Sequence, residues 1–184
     1  MGFIFYSLSK RMASVEAIKE ALNHLPKTIK KVGVFVNETE NVILEIAHKL
    51  SLDVIQLHGD ESVELGKSLI DKGFQVWKAF GLKFEQTDWT NMTQWLDACD
   101  CFLFDTASEG YGGSGQKFNH HVLATYPFQK PFWLSGGIDL DFLTLPHFFD
   151  RLPVLGLDIN SKFESQPGMK NLGAVETFIK HWKY

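Results

Sequence analysis

Seven short apolar runs recur along the chain, and longer amphipathic stretches separate them. Most of the runs are continuous rather than alternating, which is typical of strands buried on both faces of a parallel sheet. Their starts lie 21 to 31 residues apart, enough for one strand, one helix and two short loops. The pattern therefore predicts repeated βα units. The predicted strands are residues 2–6, 31–36, 53–57, 74–80, 101–105, 132–135 and 154–158.

Helix signals lie between several of these runs. Ser14 is a candidate N-cap for a helix with one apolar face. Asn37 stands three residues before Glu40, which predicts a capping box at the start of the next helix. A weaker pattern predicts a helix within residues 84–98. Apolar side chains at helical spacing predict a last helix that docks on the remainder of the fold, namely Val175, Phe178, Ile179 and Trp182.

The number of predicted strands limits the choice of fold. A (β/α)8 TIM barrel takes at least about 200 residues, and this chain has 184. The first predicted strand begins at residue 2, so we place the deficit at the N-terminus and expect a single α/β domain over residues 1–184, an N-terminally incomplete barrel with seven of its eight strands. An open, doubly wound, flavodoxin-like sheet is the alternative, and periodicity alone does not separate the two.

Composition and charge narrow the choice of partner and compartment. Eighteen Lys and Arg against 22 Asp and Glu give a formal charge of −4, which disfavours binding to nucleic acid or to an anionic membrane through bulk positive charge. No apolar run is long enough for a membrane span, and no signal peptide is evident, so we expect a soluble, cytoplasmic protein. Cys99 and Cys101 are too close for a zinc knuckle or an ordinary disulfide, and we expect reduced thiols and no metal site.

Glycine-rich segments follow two of the predicted strands. In a βα fold these loops lie at the C-terminal ends of the strands, where binding sites form. Glycine allows backbone N–H groups to approach an anion closely, and a helix expected from about Asp139 would add the donors of its N-terminus. A flexible turn is the alternative for residues 112–115. The predicted phosphate-binding residues are Gly112, Gly113, Ser114, Gly115, Ser135, Gly136 and Gly137.

Four further polar residues follow predicted strands. Asp105 ends a strand of apolar residues, where a carboxyl group with a raised pKa can act as a general acid, or can instead cap the next loop. Asp158 ends the last predicted strand and has the same two possible roles, general acid or loop cap. Arg11 could bind a carboxylate in bidentate fashion, although a solvated surface charge is the commoner role for such a residue. His58 follows the third strand, where a lone histidine is more often structural than catalytic.

Seven segments, in order across essentially the whole chain, resemble the phosphoribosylanthranilate isomerase family. The segments are GFIFY-x-x-S-x-R (2–11), KVGVFVNE (31–38), QLHGDE (56–61), FLFDT (102–106), YGGSGQKF (111–118), LSGGI (134–138) and FESQPGMK (163–170). The resemblance implies an isomerase of tryptophan biosynthesis. The reaction is an Amadori rearrangement of N-(5′-phosphoribosyl)anthranilate to 1-(2-carboxyphenylamino)-1-deoxyribulose 5-phosphate, without metal or cofactor.

The resemblance also implies a role for each candidate residue. It assigns Asp105 as the general acid that protonates the ribose ring oxygen. Arg11 matches the residue that holds the anthranilate carboxylate, and the two glycine-rich loops would hold the 5′-phosphate. Asp158 and His58 match polar residues that line the same mouth of the barrel.

One departure from the family affects the expected activity. The family's general base is a cysteine in a Lys-Ile-Cys-Gly segment of the first strand, and the 184 residues contain no such segment. We therefore expect an impaired isomerase that still recognises a small phosphosugar. The alternatives are a non-catalytic phosphosugar-binding barrel remnant and an unrelated flavodoxin-like binding module. A complete barrel is expected to be a monomer, whereas this form is expected to self-associate through its unpaired strand edges.

Overall fold

A computed structural model describes residues 1–82, 88–106, 120–142 and 147–182 of the chain. All seven predicted strands are confirmed, with small shifts at their ends. They are β1 (Gly2–Ile4), β2 (Val32–Phe35), β3 (Val54–Leu57), β4 (Gln75–Leu82), β5 (Cys101–Thr106), β6 (Phe132–Leu134) and β7 (Val154–Leu157), followed by an antiparallel pair, β8 (Glu164–Gln166) and β9 (Met169–Lys170).

The described helices are short. The α-helices are α1 (Val15–Leu22), α2 (Glu40–Leu50), α3 (Val63–Asp71), α4 (Thr90–Thr93) and α5 (Leu172–His181). Three 3-10 helices cover His120–Thr125, His147–Arg151 and Ser161–Phe163. None of the helices in the described ranges is long and apolar enough to cross a lipid bilayer.

The chain forms two compact units. The first contains Met1–Ala79 and Met92–Asp100, and the second contains Phe80–Asn91 and Cys101–Tyr184. In the first unit, β1 pairs with β2, β2 with β3 and β3 with β4, and all three pairs are parallel. A flavodoxin-like sheet places β1 between β2 and β3. The direct β2–β3 pairing therefore excludes the flavodoxin-like alternative.

The strands of the first unit have two distinct faces because side chains alternate along each strand. The register aligns Val34, Gln56 and Trp77 on one face. The opposite face includes Phe35 and Ile55, both fully buried. Leu52, which follows α2, packs on this second face against Gly33, where an added Cβ would lie 2.8 Å from the Phe35 ring. The second face is thus the one that the helices cover, and Gly33 leaves the space that they need.

The second unit is built around aromatic rings. Strands β5, β6 and β7 pair in parallel and in sequence order. Phe104 of β5 lies 4.8 Å from Phe132 of β6, ring centre to ring centre, and Tyr126 lies 5.1 Å from Phe132. The Tyr126 hydroxyl donates to the Lys130 carbonyl oxygen at 2.6 Å, so its polar end is paired within the cluster. Side chains of this size contribute much of the hydrophobic stabilisation of a small core.

The predicted helix starts were right at Ser14 and wrong at Asn37. Ser14 is the N-cap of α1, and its hydroxyl accepts from the Ala17 N–H at 3.5 Å. Thr39 is the N-cap of α2, whereas Asn37 has a left-handed backbone with φ of 51°. The Asn37 side chain accepts from the Asp60 N–H at 2.6 Å. The expected capping box is absent because this side chain is already engaged by another loop.

Three other helix predictions need correction. Residues 139–142 form a turn rather than the expected first turn of a helix at Asp139. Within residues 88–98, the only α-helix is the single turn α4. The C-terminal helix is confirmed as α5, but Ile179 is 67% exposed, so its side chain does not dock as predicted. Phe178 is the buried anchor of α5 and lies 5.0 Å from the Phe163 ring.

Candidate active site

Arg11 lies in the loop that follows β1 of the first unit. The Ala13 N–H donates to the Ile4 carbonyl oxygen at 2.8 Å, and Met12 bridges to Ile4 in parallel, so the end of the loop returns to the end of its own strand. The Arg11 N–H donates to the Ser9 hydroxyl at 3.1 Å, and the Arg11 side chain is half-buried. The guanidinium group is therefore carried on an anchored loop at the C-terminal end of β1.

His58 lies directly after β3, at the same end of the sheet. Its N–H donates to the Phe35 carbonyl oxygen at 2.8 Å, which extends the pairing with β2 by one residue. The Gln56 Nε2 atom lies 2.8 Å from His58 Nδ1, and Gln56 is only 5% exposed. A Gln56 amide that donates to Nδ1 favours the neutral tautomer with the ring proton on Nε2. His58 is half-buried at the end of the strand.

A buried ion pair that the sequence analysis missed contacts the backbone of Gly59, the residue after His58. Lys78 of β4 and Glu61 are joined at 2.8 Å, and their side chains are 4% and 1% exposed. The Glu61 carboxylate also accepts from the Asn37 N–H at 3.0 Å and from the Gly59 N–H at 2.9 Å. A lysine within the apolar run FQVWKAF was the signal that could have revealed the pair, because a buried charge requires a partner.

Asp105, Ser135 and Asp158 come together at the ends of the three strands of the second unit. Asp105 is the fifth of the six residues of β5. The Ser135 N–H donates to the Phe104 carbonyl oxygen at 2.7 Å, and the Asp158 N–H donates to the Leu134 carbonyl oxygen at 2.8 Å. Ser135 is 7% exposed, and both aspartates are half-buried. Two carboxyl groups and one hydroxyl group thus lie at the C-terminal ends of neighbouring strands.

The alternation of β5 places Asp105 on the face opposite the aromatic cluster. Phe102 and Phe104 are fully buried, and Phe104 contacts Tyr126 and Phe132. Asp105 follows Phe104 and therefore points to the other face of the strand. A carboxyl group in this position can donate a proton to a ligand on that face without entering the apolar core.

The two glycines that follow Ser135 adopt backbone conformations that other residues rarely take. Gly136 has φ of 79° and Gly137 has φ of 68°. Both values lie in the left-handed region, where only glycine pays no steric penalty. Successive residues that depart from extended geometry can turn several N–H groups toward an anion. This turn can contribute to the predicted phosphate site, and the remaining predicted members, Gly112 to Gly115, lie outside the described residues.

The candidate residues thus form two sets. Arg11 and His58 belong to the first unit, and Asp105, Ser135 and Asp158 belong to the second. Each set lies at the C-terminal ends of its own parallel strands, which is where βα folds bind ligands. Cys101, by contrast, is buried at the start of β5 and Cys99 is buried nearby, and neither thiol forms a disulfide.

Comparison of the sequence with protein families gives a match over residues 1–181 to the model described as N-(5′-phosphoribosyl)anthranilate (PRA) isomerase. The chain is 40% identical over 183 residues to the N-(5′-phosphoribosyl)anthranilate isomerase of Phocaeicola vulgatus, covering 100% of this chain and 86% of that protein. It is 39% identical over 181 residues to the enzyme of the same name from Parabacteroides distasonis, with 98% and 81% covered.

Solved structures give the same result. The crystal structure of phosphoribosyl anthranilate isomerase from Thermotoga maritima matches with a TM-score of 0.81 and 33% identity, over 98% of this chain and 85% of that one. A second structure, in complex with reduced 1-(o-carboxyphenylamino)-1-deoxyribulose 5-phosphate, has a TM-score of 0.78 and 30% identity, with 98% and 84% covered. This likeness confirms the predicted fold class, a (β/α)8 barrel of which seven strands are present in the chain.

Proposed function

Because this chain belongs to the N-(5′-phosphoribosyl)anthranilate isomerase family, we propose that it acts on N-(5′-phosphoribosyl)anthranilate in tryptophan biosynthesis. The reaction converts the phosphoribosyl amine to a 1-deoxyribulose, which is an internal transfer of hydrogen with no net oxidation. The observation that carries the proposal is the placement of Asp105, Ser135 and Asp158 at the ends of three neighbouring strands.

Asp105 is the proposed general acid. In its protonated form, its carboxyl group gives a proton to the ribose ring oxygen, the C1′–O bond breaks, and the nitrogen lone pair forms an iminium ion. A base then removes the proton from C2′, the electron pair of that C–H bond forms a C1′=C2′ double bond, and the π pair of the C=N bond returns to nitrogen to give an enolamine. Tautomerisation of the enolamine gives the ketone. A well-placed acid of this kind contributes about 10²- to 10⁴-fold to the rate.

The remaining candidates are proposed to bind the substrate. Arg11 carries a guanidinium group whose paired N–H donors match the anthranilate carboxylate. Ser135, with the glycine turn after it and the predicted loop at residues 112–115, is proposed to hold the 5′-phosphate. His58 and Asp158 are proposed to contact the sugar hydroxyls.

The general base is missing from this mechanism. The resemblance assigns it to a cysteine of the first strand, and this chain has no residue that matches that cysteine. No Lys-Ile-Cys-Gly segment occurs in the 184 residues. We therefore expect negligible turnover by this polypeptide and activity in a form extended upstream by about 25 residues, roughly one βα unit, that carries the cysteine. The alternative function is a non-catalytic phosphosugar-binding barrel.

The proposal is tested by measuring turnover of N-(5′-phosphoribosyl)anthranilate by this chain and by the extended form. In the extended form, Asp105→Asn should lower kcat about 10²- to 10⁴-fold, whereas the exposed Asp141→Asn in the same unit should change it less than about twofold. Equal turnover by the two forms contradicts the missing-base argument. Substrate affinity without turnover in the extended form supports the non-catalytic alternative.

Two further properties are part of the proposal. A cytoplasmic location is supported by the family to which the chain belongs, whose members act in amino-acid biosynthesis. We also propose that this form self-associates through the unpaired edges of its strands. A Thermotoga maritima member of the family is described as dimeric, which is a property of that protein.

A further inference from the structure

The buried pair of Glu61 and Lys78 has no part in the proposed chemistry, yet it lies at the ligand-binding end of the first unit. Both side chains are at least 96% buried, and the ammonium group of Lys78 also lies 5.2 Å from the centre of the Trp95 ring. Removal of two charges from water is costly, and an apolar pair of similar volume often gives equal or higher stability. The polar contacts of this pair therefore need an explanation beyond packing.

Those contacts converge on Gly59, the residue after His58. The Gly59 N–H donates to both Glu61 carboxylate oxygens, at 2.9 and 3.0 Å. The Lys78 ammonium group donates to the Gly59 carbonyl oxygen at 2.5 Å. The acid thus fixes the peptide group before Gly59, and the lysine fixes the peptide group after it. Two apolar side chains in place of the ion pair could not hydrogen-bond to the Gly59 N–H and the Gly59 carbonyl oxygen.

The loop after β2 also contacts the residues around Gly59. The Asn37 N–H donates to Glu61 at 3.0 Å, and the Asn37 side chain accepts from the Asp60 N–H at 2.6 Å. A Cβ atom on Gly59 would lie 2.8 Å from the Asn37 backbone nitrogen, so this close approach requires glycine. The backbone around Gly59 is therefore fixed relative to both β2 and β4.

His58 itself faces the other way. The register pairs Leu57 with Lys78, which places them on the helix-covered face, and pairs Gln56 with Trp77 on the opposite face. His58 alternates with Leu57 and hydrogen-bonds to Gln56, so its ring lies on the Gln56 face. The ion pair and the imidazole are thus on opposite sides of the strand and are connected through the backbone.

We propose that Glu61 and Lys78 are positioning residues that hold His58, through the Gly59 backbone, with its ring against Gln56 for recognition of a sugar-phosphate ligand. The proposal rests on the proposed function for the identity of the ligand. It assigns the ion pair to recognition of the substrate rather than to proton transfer. Gln56 fixes the ring, and the ion pair fixes the chain on which the ring is carried.

The first test follows the His58 ring in the protein without ligand. In protein labelled with ¹⁵N-histidine, and with the His58 signal identified from a His58→Asn variant, the wild type should show one tautomer with the proton on Nε2. The double variant Glu61→Gln with Lys78→Met removes both charges and keeps similar volumes, so it avoids a lone buried charge. It should show an average of the two tautomers. An unchanged His58 spectrum in the folded double variant would overturn the proposal.

Two controls separate positioning from general loss of structure. Glu16→Gln with Lys49→Met removes an exposed ion pair of the same unit, joined at 2.5 Å. Leu69→Ala truncates a fully buried core residue of α3 and lowers stability without touching the Gly59 contacts. Both controls should keep the wild-type His58 spectrum. If Leu69→Ala alters that spectrum as the double variant does, the effect reports destabilisation, and the positioning role is wrong.

The second test measures affinity for reduced 1-(o-carboxyphenylamino)-1-deoxyribulose 5-phosphate by calorimetry with the 184-residue chain. The double variant should bind about tenfold more weakly or worse, because a small displacement of a binding group costs up to about 10²-fold. When His58→Asn is already present, adding the double variant should weaken binding by less than about a further twofold. Equal losses in both backgrounds would overturn the proposal. If the wild type does not bind the compound but the His58 spectrum responds as expected, the proposed function fails and the link between the pair and His58 stands.

Discussion

Gly66 lies within α3, where helix propensity and packing make opposite demands on the residue. Glycine in a helix interior is less favourable than alanine by about 0.5–1 kcal/mol because it loses more backbone entropy on folding. Propensity alone therefore predicts that Gly66→Ala stabilises the protein. A Cβ atom at this position, however, would lie 2.7 Å from the Trp95 ring and even closer to the Ala98 carbonyl oxygen.

The packing cost decides the sign of the effect. A flexible side chain could move away from the added methyl group, but the Ala98 oxygen belongs to the backbone, and Trp95 is only 3% exposed. Insertion of a methyl group into a packed interior of this kind typically costs about 1–3 kcal/mol. After the gain in propensity is subtracted, we expect Gly66→Ala to lower the free energy of unfolding by about 1 kcal/mol.

Equilibrium unfolding in urea measures this difference, and a second helical glycine gives a matched control. A Cβ atom on Gly173 of α5 would meet only the Asn171 side chain, at an ordinary 3.5 Å. Gly173→Ala should therefore raise the free energy of unfolding by up to about 0.5–1 kcal/mol. If Gly66→Ala is as stable as the wild type or more stable, the α3 contact is looser than the structure indicates and the argument fails.

Two further predictions concern a helix cap and a surface ion pair. Asn171 is the N-cap of α5 and accepts from the Ala174 N–H at 3.1 Å, so Asn171→Ala should cost about 0.5–2 kcal/mol in urea unfolding, and Asn171→Asp should cost much less. The hydrogen bond from Lys49 lowers the pKa of Glu16. This contribution to stability is present above the carboxyl group's ordinary pKa and is lost as the pH falls through the lowered pKa. An NMR titration should find the Glu16 midpoint below its usual range and back within it in Lys49→Met, and an unchanged midpoint would contradict the contact.

The strands could be predicted from the sequence because their environment leaves a simple pattern. A strand covered on both faces is a continuous apolar run, and all seven runs are strands in the structure. The start of α2 could not be predicted in the same way. The spacing of Asn37 and Glu40 fits a capping box, but the Asn37 side chain is bound by the Asp60 N–H, 23 residues further along the chain. A local pattern contains no information about such a distant competitor.

The candidate site likewise contains residues that the sequence could place and residues that it could not. Polar residues at the C-terminal end of a strand, such as Asp105 within β5 and His58 directly after β3, are placed by the strand itself, so their approximate location follows from the sequence. The network around Gly59 joins three segments that are separate in the sequence, and its central pair is 17 residues apart. Its central pair is visible in the sequence only as a lysine in an apolar run and the second of two acids that follow a glycine.

Four aspartates lie at strand ends, two at the start of a strand and two at its C-terminal end, and the two positions have different roles. Asp53 directly precedes β3 and accepts from the Lys31 N–H at 2.7 Å, and Asp100 directly precedes β5 and accepts from the Val76 N–H at 2.6 Å. Both carboxylates thus bind backbone N–H groups at the N-terminal ends of strands. Asp105 and Asp158 lie at the opposite ends of their strands and are half-buried. Since ligands bind at the C-terminal ends of parallel strands, the four aspartates divide into a pair that stabilises the starts of strands and a pair at the end where the proposed function places the substrate.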